Sequence, residues 1–478
     1  MKTKLYTAIL FLLLTLFTAC DDKGSKPEVY DEFTEWIEED TPVDPCEDNN
    51  ESNNSFITTE YCINSHLGLL GASSAYVDGY TGDGVRVAVV DSGVNFNSPD
   101  LKANASTDSK SLFAFRYDED SEDHFTYDEN GSRFDQIERI IVEYGGKDYT
   151  SAPTITITGD GSGAEAIATI KDGKVINILM DKRGSGYTTA TIEIDNNGTG
   201  GSGLIIEKYI LGGYDNNGHG TAVASIIASV KNQESKEDEY ESGLSHGIAF
   251  NAEIVSIRVL SDLGMGSGSA LTRGISYSEE KDVDIVNLSV GGKHWSEDSY
   301  DIFSELINDN TVIVTAAGNS GDACTSLDAD DNDSCEFPAA YPWTEDHESL
   351  LDGAGGWIVV GAVNEFGELR YYSNKAGITK DNFLVANIDG IRVPFEKESV
   401  AESYGRDYTW FSGTSASAPV VSGAVALLRE KYPDMDGKEI AQILFDSATD
   451  LGEEGVDEIY GHGMVNIKAA FELAESRE

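Results

Sequence analysis

The stretch "GYTGDGVRVAVVDSGVNF", residues 79–96, decides the fold. Glycine and turn residues give way to "VRVAVV", a nearly unbroken β-branched run. A strand with one wet face would alternate polar and apolar residues, whereas a continuous run is buried on both faces, as in a parallel sheet. The run ends in Asp91-Ser92-Gly93. A carboxylate therefore stands at the carboxyl end of a strand, the edge at which open α/β sheets bind ligands. Further strands are expected at 252–260, 283–290, 311–318 and 356–363. Helical patterns lie between them at "GTAVASIIASV", "SALTRGISYSEE" and "YDIFSELIND". Alternation of strand and helix predicts a parallel sheet with helices on both faces.

One region breaks the alternation. Residues 118–211 are rich in Gly, Thr and Ile, with period-two runs, and contain an internal repeat. "GGKDYTSAPTITITGDGSGA" at 145–164 parallels "RGSGYTTATIEIDNNGTGGSG" at 183–203, aligning Tyr149 with Tyr187, Ile155 with Ile192 and Ile157 with Ile194. Two similar β units in tandem predict a small inserted β domain, which serves either as a spacer and shield or as a binding module.

The chain has 478 residues, of which 33 are Lys or Arg and 85 Asp or Glu, for a formal charge of −52. Such an excess of negative charge argues against nucleic acid as a partner. The first twenty residues, "MKTKLYTAILFLLLTLFTAC", carry two lysines, a short apolar core and small residues before Cys20. This pattern is that of a secretory signal, too short for a stable span. "LFTAC" also resembles a bacterial lipobox, with Phe17 where Leu is preferred. Lipid on Cys20 would anchor the protein to a membrane; the alternative is a simple cleaved signal. Residues 21–60 are acidic, carry several prolines and read as a flexible tether to a domain spanning 61–478. Four cysteines remain. In an exported protein an even count suggests disulfides, and the sequence-near pairing is Cys46–Cys62 and Cys324–Cys335.

Three short motifs carry chemistry. Asp91-Ser92-Gly93 follows a strand. His219 lies between two glycines at the start of the helix in "NNGHGTAVASIIASV". Ser415 opens a helix in "WFSGTSASAPVVSGAVALL". Each has a plain structural use, and Ser415 taken alone reads more readily as a helix N-cap than as a nucleophile. Together they supply a hydroxyl nucleophile, an imidazole base and a carboxylate to orient the base. In "VIVTAAGNSG", Asn319 follows a strand at a glycine-flanked turn, where its amide can donate to a developing oxyanion beside the Ser415 N–H. Its other use is as a turn residue.

The order Asp, His, Ser with these flanks resembles the subtilisin-like serine peptidases (the S8 family, or subtilases). "VAVVDSGV", "HGTAVASIIA", "GIAFNAEIVSIRVL", "VDIVNLSVGG", "VTAAGNSG", "FPAAYP" and "FSGTSASAP" all fall in the family's order. "HLGLLGASSAYVDGYTGDGV" and "GWIVVGAVNEFGELRYYSNKAG" look most like the subtilases of bacterial autotransporters, with the lipid anchor in place of their barrel. The resemblance implies a subtilisin-like α/β fold interrupted by the β-repeat insert, and an endopeptidase acting through Asp91, His219 and Ser415 with Asn319 as oxyanion donor. It also implies that Ser289, Val290 and Gly291 form one wall of the S1 pocket and pair with substrate backbone. Ala316, Ala317 and Gly318 would form the other wall, and "LGMGSG" at 263–268 would line more distant subsites. Extended peptides are the expected partners, taken up by strand addition, and the expected state is a monomer needing no cofactor for its chemistry. The family often has His where Ala222 stands, and Met-Ala-Ala-Pro-His where the chain has Ala416 to Val420. Glu336, just before "FPAAYP", would sit near the base of S1 and favour Lys or Arg at P1, unless the cysteine loop carries it to the surface. Asp328, Asp330, Asp331 and Asp333 are either a structural calcium site or a solvated acidic loop. The competing function is a surface-binding lipoprotein that keeps a relict or self-processing peptidase core.

Overall fold

The structure is a computed structural model that describes residues 55–478, apart from 97, 113–131, 134–135, 188, 212–214, 216, 232–244, 262, 293–298, 325–336, 344–346 and 395–407. Three short helices open it: α1 (Thr59–Ile63), α2 (His66–Leu69) and α3 (Ala72–Val77). The central sheet is built from β1 (Arg86–Asp91), β2 (Lys110–Ser111) and β3 (Ser132–Arg133). The inserted sheet follows, from β4 (Ile137–Lys147), β5 (Thr154–Gly159), β6 (Ser162–Lys171), β7 (Lys174–Ser185), β8 (Ala190–Asp195) and β9 (Ser202–Leu211). The chain then returns to the core through α4 (His219–Ala228), β10 (Glu253–Arg258), α5 (Gly268–Glu280), β11 (Ile285–Leu288), α6 (Ser299–Asn308), β12 (Val312–Ala316), β13 (Gly356–Val363) and β14 (Phe383–Asn387). A hairpin of β15 (Arg392–Pro394) and β16 (Tyr408–Trp410) precedes α7 (Thr414–Lys431), α8 (Gly437–Asp446) and α9 (Ile467–Arg477).

The central sheet runs β14-β13-β12-β11-β1-β10-β2-β3 and is parallel except for the β2–β3 pair. Its strands alternate between two cores. Val87 and Val89 join Ile254, Val312 and Leu384 under α4, α7, α8 and α9. Ala88 and Val90 face the other way with Val255, Ile313 and Val359, under α5 and α6. Both faces are therefore dry, which is why β1 and its neighbours need no polar alternation. The predicted strands and helices fall where expected. β14 is an addition: "FLVAN" is short and fully buried, and such a run lacks a period to mark it.

The insert forms a separate antiparallel sheet in the order β8-β5-β6-β7-β4-β9, with its own core around Ile137, Ile140, Ile178 and the two repeat tyrosines. Its halves are β4–β6 and β7–β9. The aligned repeat strands β5 and β8 pair with each other, Ile155 opposite Ile194 and Ile157 opposite Ile192. β8 and β9 are also in contact, so the sheet curls around its own core. The insert meets the central sheet through Glu138, which lies 3.6 Å from Arg258; both side chains are buried.

Candidate active site

Asp91 ends β1 and is fully buried. His219 is the first residue of α4, and its Nδ1 lies 2.9 Å from both carboxylate oxygens of Asp91. A carboxylate only accepts, so Nδ1 carries the proton and Nε2 keeps its lone pair. Gly220 lets the helix start approach the strand end: a Cβ there would fall 2.1 Å from the Gly93 carbonyl oxygen. The His219 side chain remains 28% exposed, so its far nitrogen can be reached. Burial alone would push the imidazole pKa down. The Asp91 carboxylate, by charge and hydrogen bond, and the Asp215 charge behind it bring it above its ordinary value.

Asp215 is a part of the site that sequence reasoning passed over. Its Oδ1 accepts from the Ser92 hydroxyl at 2.9 Å and from the N–H groups of Asn217 and Gly218 at 3.0 and 2.8 Å. Its Oδ2 accepts from the Thr221 N–H and hydroxyl at 2.8 and 2.7 Å. Ser92 in turn accepts from the Gly220 N–H at 2.9 Å. One buried carboxylate thus ties the Asp-Ser-Gly turn to the helix that carries His219. The signal in the sequence was only that of a turn, Asp before Asn-Asn-Gly, since the N-cap position itself is Gly218.

Ser415 is the second residue of α7, so its N–H has no acceptor within the helix. Pro419 stands four residues on and cannot donate to the Ser415 carbonyl. The Ser289 hydroxyl does so instead, at 3.0 Å, and the Ser415 hydroxyl donates back to the Ser289 carbonyl at 3.1 Å. This reciprocal pair fixes the serine against the segment that follows β11. Among the described residues, His219 and Ser415 share no hydrogen bond. They meet through the helices that bear them, α4 on α7, and through Phe411, whose ring is 5.3 Å from that of His219.

Asn319 follows β12 and is exposed. Its Oδ1 accepts from the Thr414 N–H at 2.9 Å and from the Thr414 hydroxyl at 3.2 Å, which leaves Nδ2 as a free donor one residue from Ser415. Ser289 and Val290 are buried and Gly291 is exposed. Among the described residues, the N–H groups of 289–291 make no main-chain bond, and pairing resumes only at Gly292 with Phe337. Across from them Ala316, Ala317 and Gly318 are buried, and Ala317 also lines a small pocket with Cys324, Ala339, Ala340 and Phe383. In the 263–268 loop Leu263 and Met265 are exposed, and Gly264 lies against Asn217 of the His219 turn. Cys62 and Cys324 are each disulfide-bonded. Cys20, Cys46, Cys335, Glu336 and the acidic run Asp328, Asp330, Asp331 and Asp333 lie outside the described residues. No described helix is long and apolar enough to cross a membrane.

The sequence matches the family model for the subtilase family (Peptidase S8) over residues 82–463. It is 29% identical over 305 residues to Subtilisin DY of Bacillus licheniformis, covering 61% of this chain and 96% of that protein. It is 28% identical over 256 residues to Subtilisin E of Bacillus subtilis (strain 168), covering 54% of this chain and 56% of that protein. The structure superposes on a protease from Pseudoalteromonas arctica PAMC 21717 with a TM-score of 0.50 and 22% identity, over 85% of this chain and 94% of the other, a likeness of fold. With a family match that runs through Asp91, His219, Asn319 and Ser415, the chain belongs to the subtilase family of serine peptidases.

Proposed function

We propose that this protein is an exported serine endopeptidase that cleaves extended peptides through Asp91, His219 and Ser415. The observation that carries the reading is the paired contact of His219 Nδ1 with Asp91, which leaves Nε2 as a base. A turn of Ser415 about χ1 exchanges the Ser289 carbonyl for Nε2 as acceptor of its proton. Ser415 Oγ then bonds to the scissile carbonyl carbon while Nε2 takes the proton. Asn319 Nδ2 and the Ser415 N–H receive the oxyanion, and Asp91 stabilises the imidazolium. Collapse breaks the C–N bond, and the amine leaves with the proton from Nε2. Water, deprotonated by the same nitrogen, hydrolyses the acyl-enzyme. Substrate backbone would pair with the unoccupied edge at 289–291.

Labelling by a fluorophosphonate probe tests the scheme. Labelling of the parent protein that is lost in Ser415→Ala and His219→Ala is expected; an unlabelled parent, or label retained in Ser415→Ala, overturns it. Glu336 as a selector of basic P1 residues belongs to the same proposal, and a peptide library without that preference removes it. So does lipid on Cys20, for which the check is palmitate incorporation lost in Cys20→Ala. A second reading draws on the insert, where Ile167, Ile176 and Ile205 are about half exposed. A surface-binding lipoprotein with a relict core would bind its partner as well after Ser415→Ala as before.

A further inference from the structure

The segment after β13 carries groups that this scheme leaves unused. Asn374 is buried and makes four hydrogen bonds to the loop that bears Asn319. Its Nδ2 donates to the Ala317 carbonyl at 2.9 Å, and its main-chain N–H to the Gly318 carbonyl at 3.0 Å. Its Oδ1 accepts from the N–H groups of Ser320 and Asp322 at 3.0 and 3.3 Å. The Gly321 N–H donates to the Tyr372 carbonyl at 2.8 Å. One strap thus satisfies the main chain on both sides of Asn319. The same strap reaches the nucleophile, because the Tyr372 hydroxyl accepts from the Gly413 N–H at 3.2 Å, two residues before Ser415. Ser373 fastens it to β13, accepting from the Ala362 N–H at 2.9 Å.

We infer that Asn374 is a positioning residue for the Asn319 amide, and that Tyr372 couples the Asn319 loop to the turn that carries Ser415. The inference rests on the serine-peptidase reading above. A strand that has ended leaves main-chain groups without ladder partners, and they must be met by other groups. Here a side-chain amide meets three of them, two N–H donors and one carbonyl. The loop that holds Nδ2 is then fixed before charge develops, which is the condition under which an oxyanion donor acts most strongly. Asn374 touches no reacting atom, so its removal acts through Asn319. It lowers turnover more than it weakens substrate binding.

A double-mutant cycle on the full chain, read with a chromogenic peptide, tests this. In Asn374→Ala, kcat should fall about 10-fold to 100-fold with KM moving less than about 3-fold, the scale of loss when a catalytic group drifts by about an ångström. In an Asn319→Ala background the same change should cost less than about 3-fold, since the donor it positions is already gone. The acid limb of the pH profile should not move, because His219 is untouched. Tyr372→Phe, which removes one acceptor, should lower kcat a few-fold and in the same non-additive way. Losses that multiply in the double variant, or an Asn374→Ala enzyme with parental kcat, overturn the inference. Asn374→Asp keeps the Oδ acceptor and the shape; should Asn374→Ala not fold, the cycle built on Asn374→Asp decides. An inactive parent, or a Ser415→Ala protein as active as the parent, would instead sink the serine-peptidase reading.

Discussion

Glycine marks both the carboxyl edge of the central sheet and the inserted β-sheet, and it does opposite things there. In the insert the missing Cβ makes room for the protein's own side chains. A Cβ on Gly201 would fall 2.3 Å from the Tyr149 ring, and one on Gly161 would fall 2.5 Å from the Tyr187 ring. Each tyrosine of the repeat lies on a glycine of the other half, so the halves clasp one another. At the sheet edge Gly220 is likewise filled, but three other glycines leave the room open. A Cβ on Gly413 would come no closer than 3.6 Å to any neighbour, and one on Gly218 or Gly292 would meet nothing within 4 Å. The first kind of glycine specifies a fold; the second leaves space for another chain's backbone. Substitutions in the two regions should therefore separate stability from activity.

The largest separation is expected at Asp91. Asp91→Asn keeps the shape but offers Nδ1 an amide, and the imidazole loses the partner that fixes its tautomer. We expect kcat to fall about 10⁴-fold, the scale known for this change in a serine-protease triad. The thermal midpoint of the insert should stay where it was. Peptide hydrolysis and a melting curve on the same preparation check both halves of the statement. Activity within 10-fold of the parent would remove Asp91 from the proposed role.

Much of this contrast was legible in the sequence. β1 could be read because two-sided burial forces an unbroken apolar run, and Asp91, His219 and Ser415 because each follows or opens an element with glycine beside it. The repeat could be read from Tyr149 and Tyr187. What a single sequence withheld were bonds made across long separations. Asp215 carries a turn signature, but its bond to Ser92 spans 123 positions. The role of Ser289 depends on Pro419 freeing a carbonyl in a helix that only the fold brings near. Asn374 reads as an ordinary turn residue until the loop at 317–322 is laid against it. β14 was missed because five buried residues fit strand and helix alike.

Acid should divide the regions next. His66 is buried in α2, and His246 is buried against Tyr61, Tyr76 and Phe250 in the packing of the opening helices. Burial, with the His246 charge adding to it, pushes His66 down to about 3. Burial also brings His246 to about 4, against the hydrogen bond it makes to the Gly247 carbonyl. Both folded values lie below the unfolded one. Their contribution is therefore whole above about pH 6.5 and is lost as pH falls toward 4 and then 3, by up to about 1.4 kcal/mol per pH unit for each histidine. His219 works with the opposite sign, since its folded value is raised. Residues 137–211 contain no histidine. Denaturant unfolding at pH 6.5 and 5.5 should show the core weakening while the insert holds. His246→Phe should remove about half of that pH dependence, and an unchanged slope would count against the buried neutral pair.

Gly161→Ala should act in the reverse sense. Its methyl would strike the Tyr187 ring, and overpacking of this kind costs about 1–3 kcal/mol. The insert should melt earlier while fluorophosphonate labelling of Ser415 keeps its parental rate. A matching fall in labelling would mean that insert and site are mechanically joined, with the buried Glu138–Arg258 contact the first place to look, because Arg258 lies beside Asp91 in the register of β10 on β1.

The smallest effect is expected at Asp215, and it tells the two carboxylates of the site apart. Asp91 and Asp215 both raise the His219 pKa, but Asp91 alone touches the ring. The proposed base must be neutral, so kcat/KM falls as pH drops through the His219 pKa. Asp215→Asn removes a negative charge behind the imidazole and keeps the acceptor for part of the turn. The acid limb should then move to lower pH, because a charge that raises the His219 pKa has been taken away. Turnover on the plateau should fall only modestly, because the Asp91 contact remains. A limb that stays fixed while the plateau collapses would mean that Asp215 serves the turn's geometry alone. A limb that shifts with the plateau nearly intact would mean that a buried carboxylate of the turn also sets the pH at which the site works.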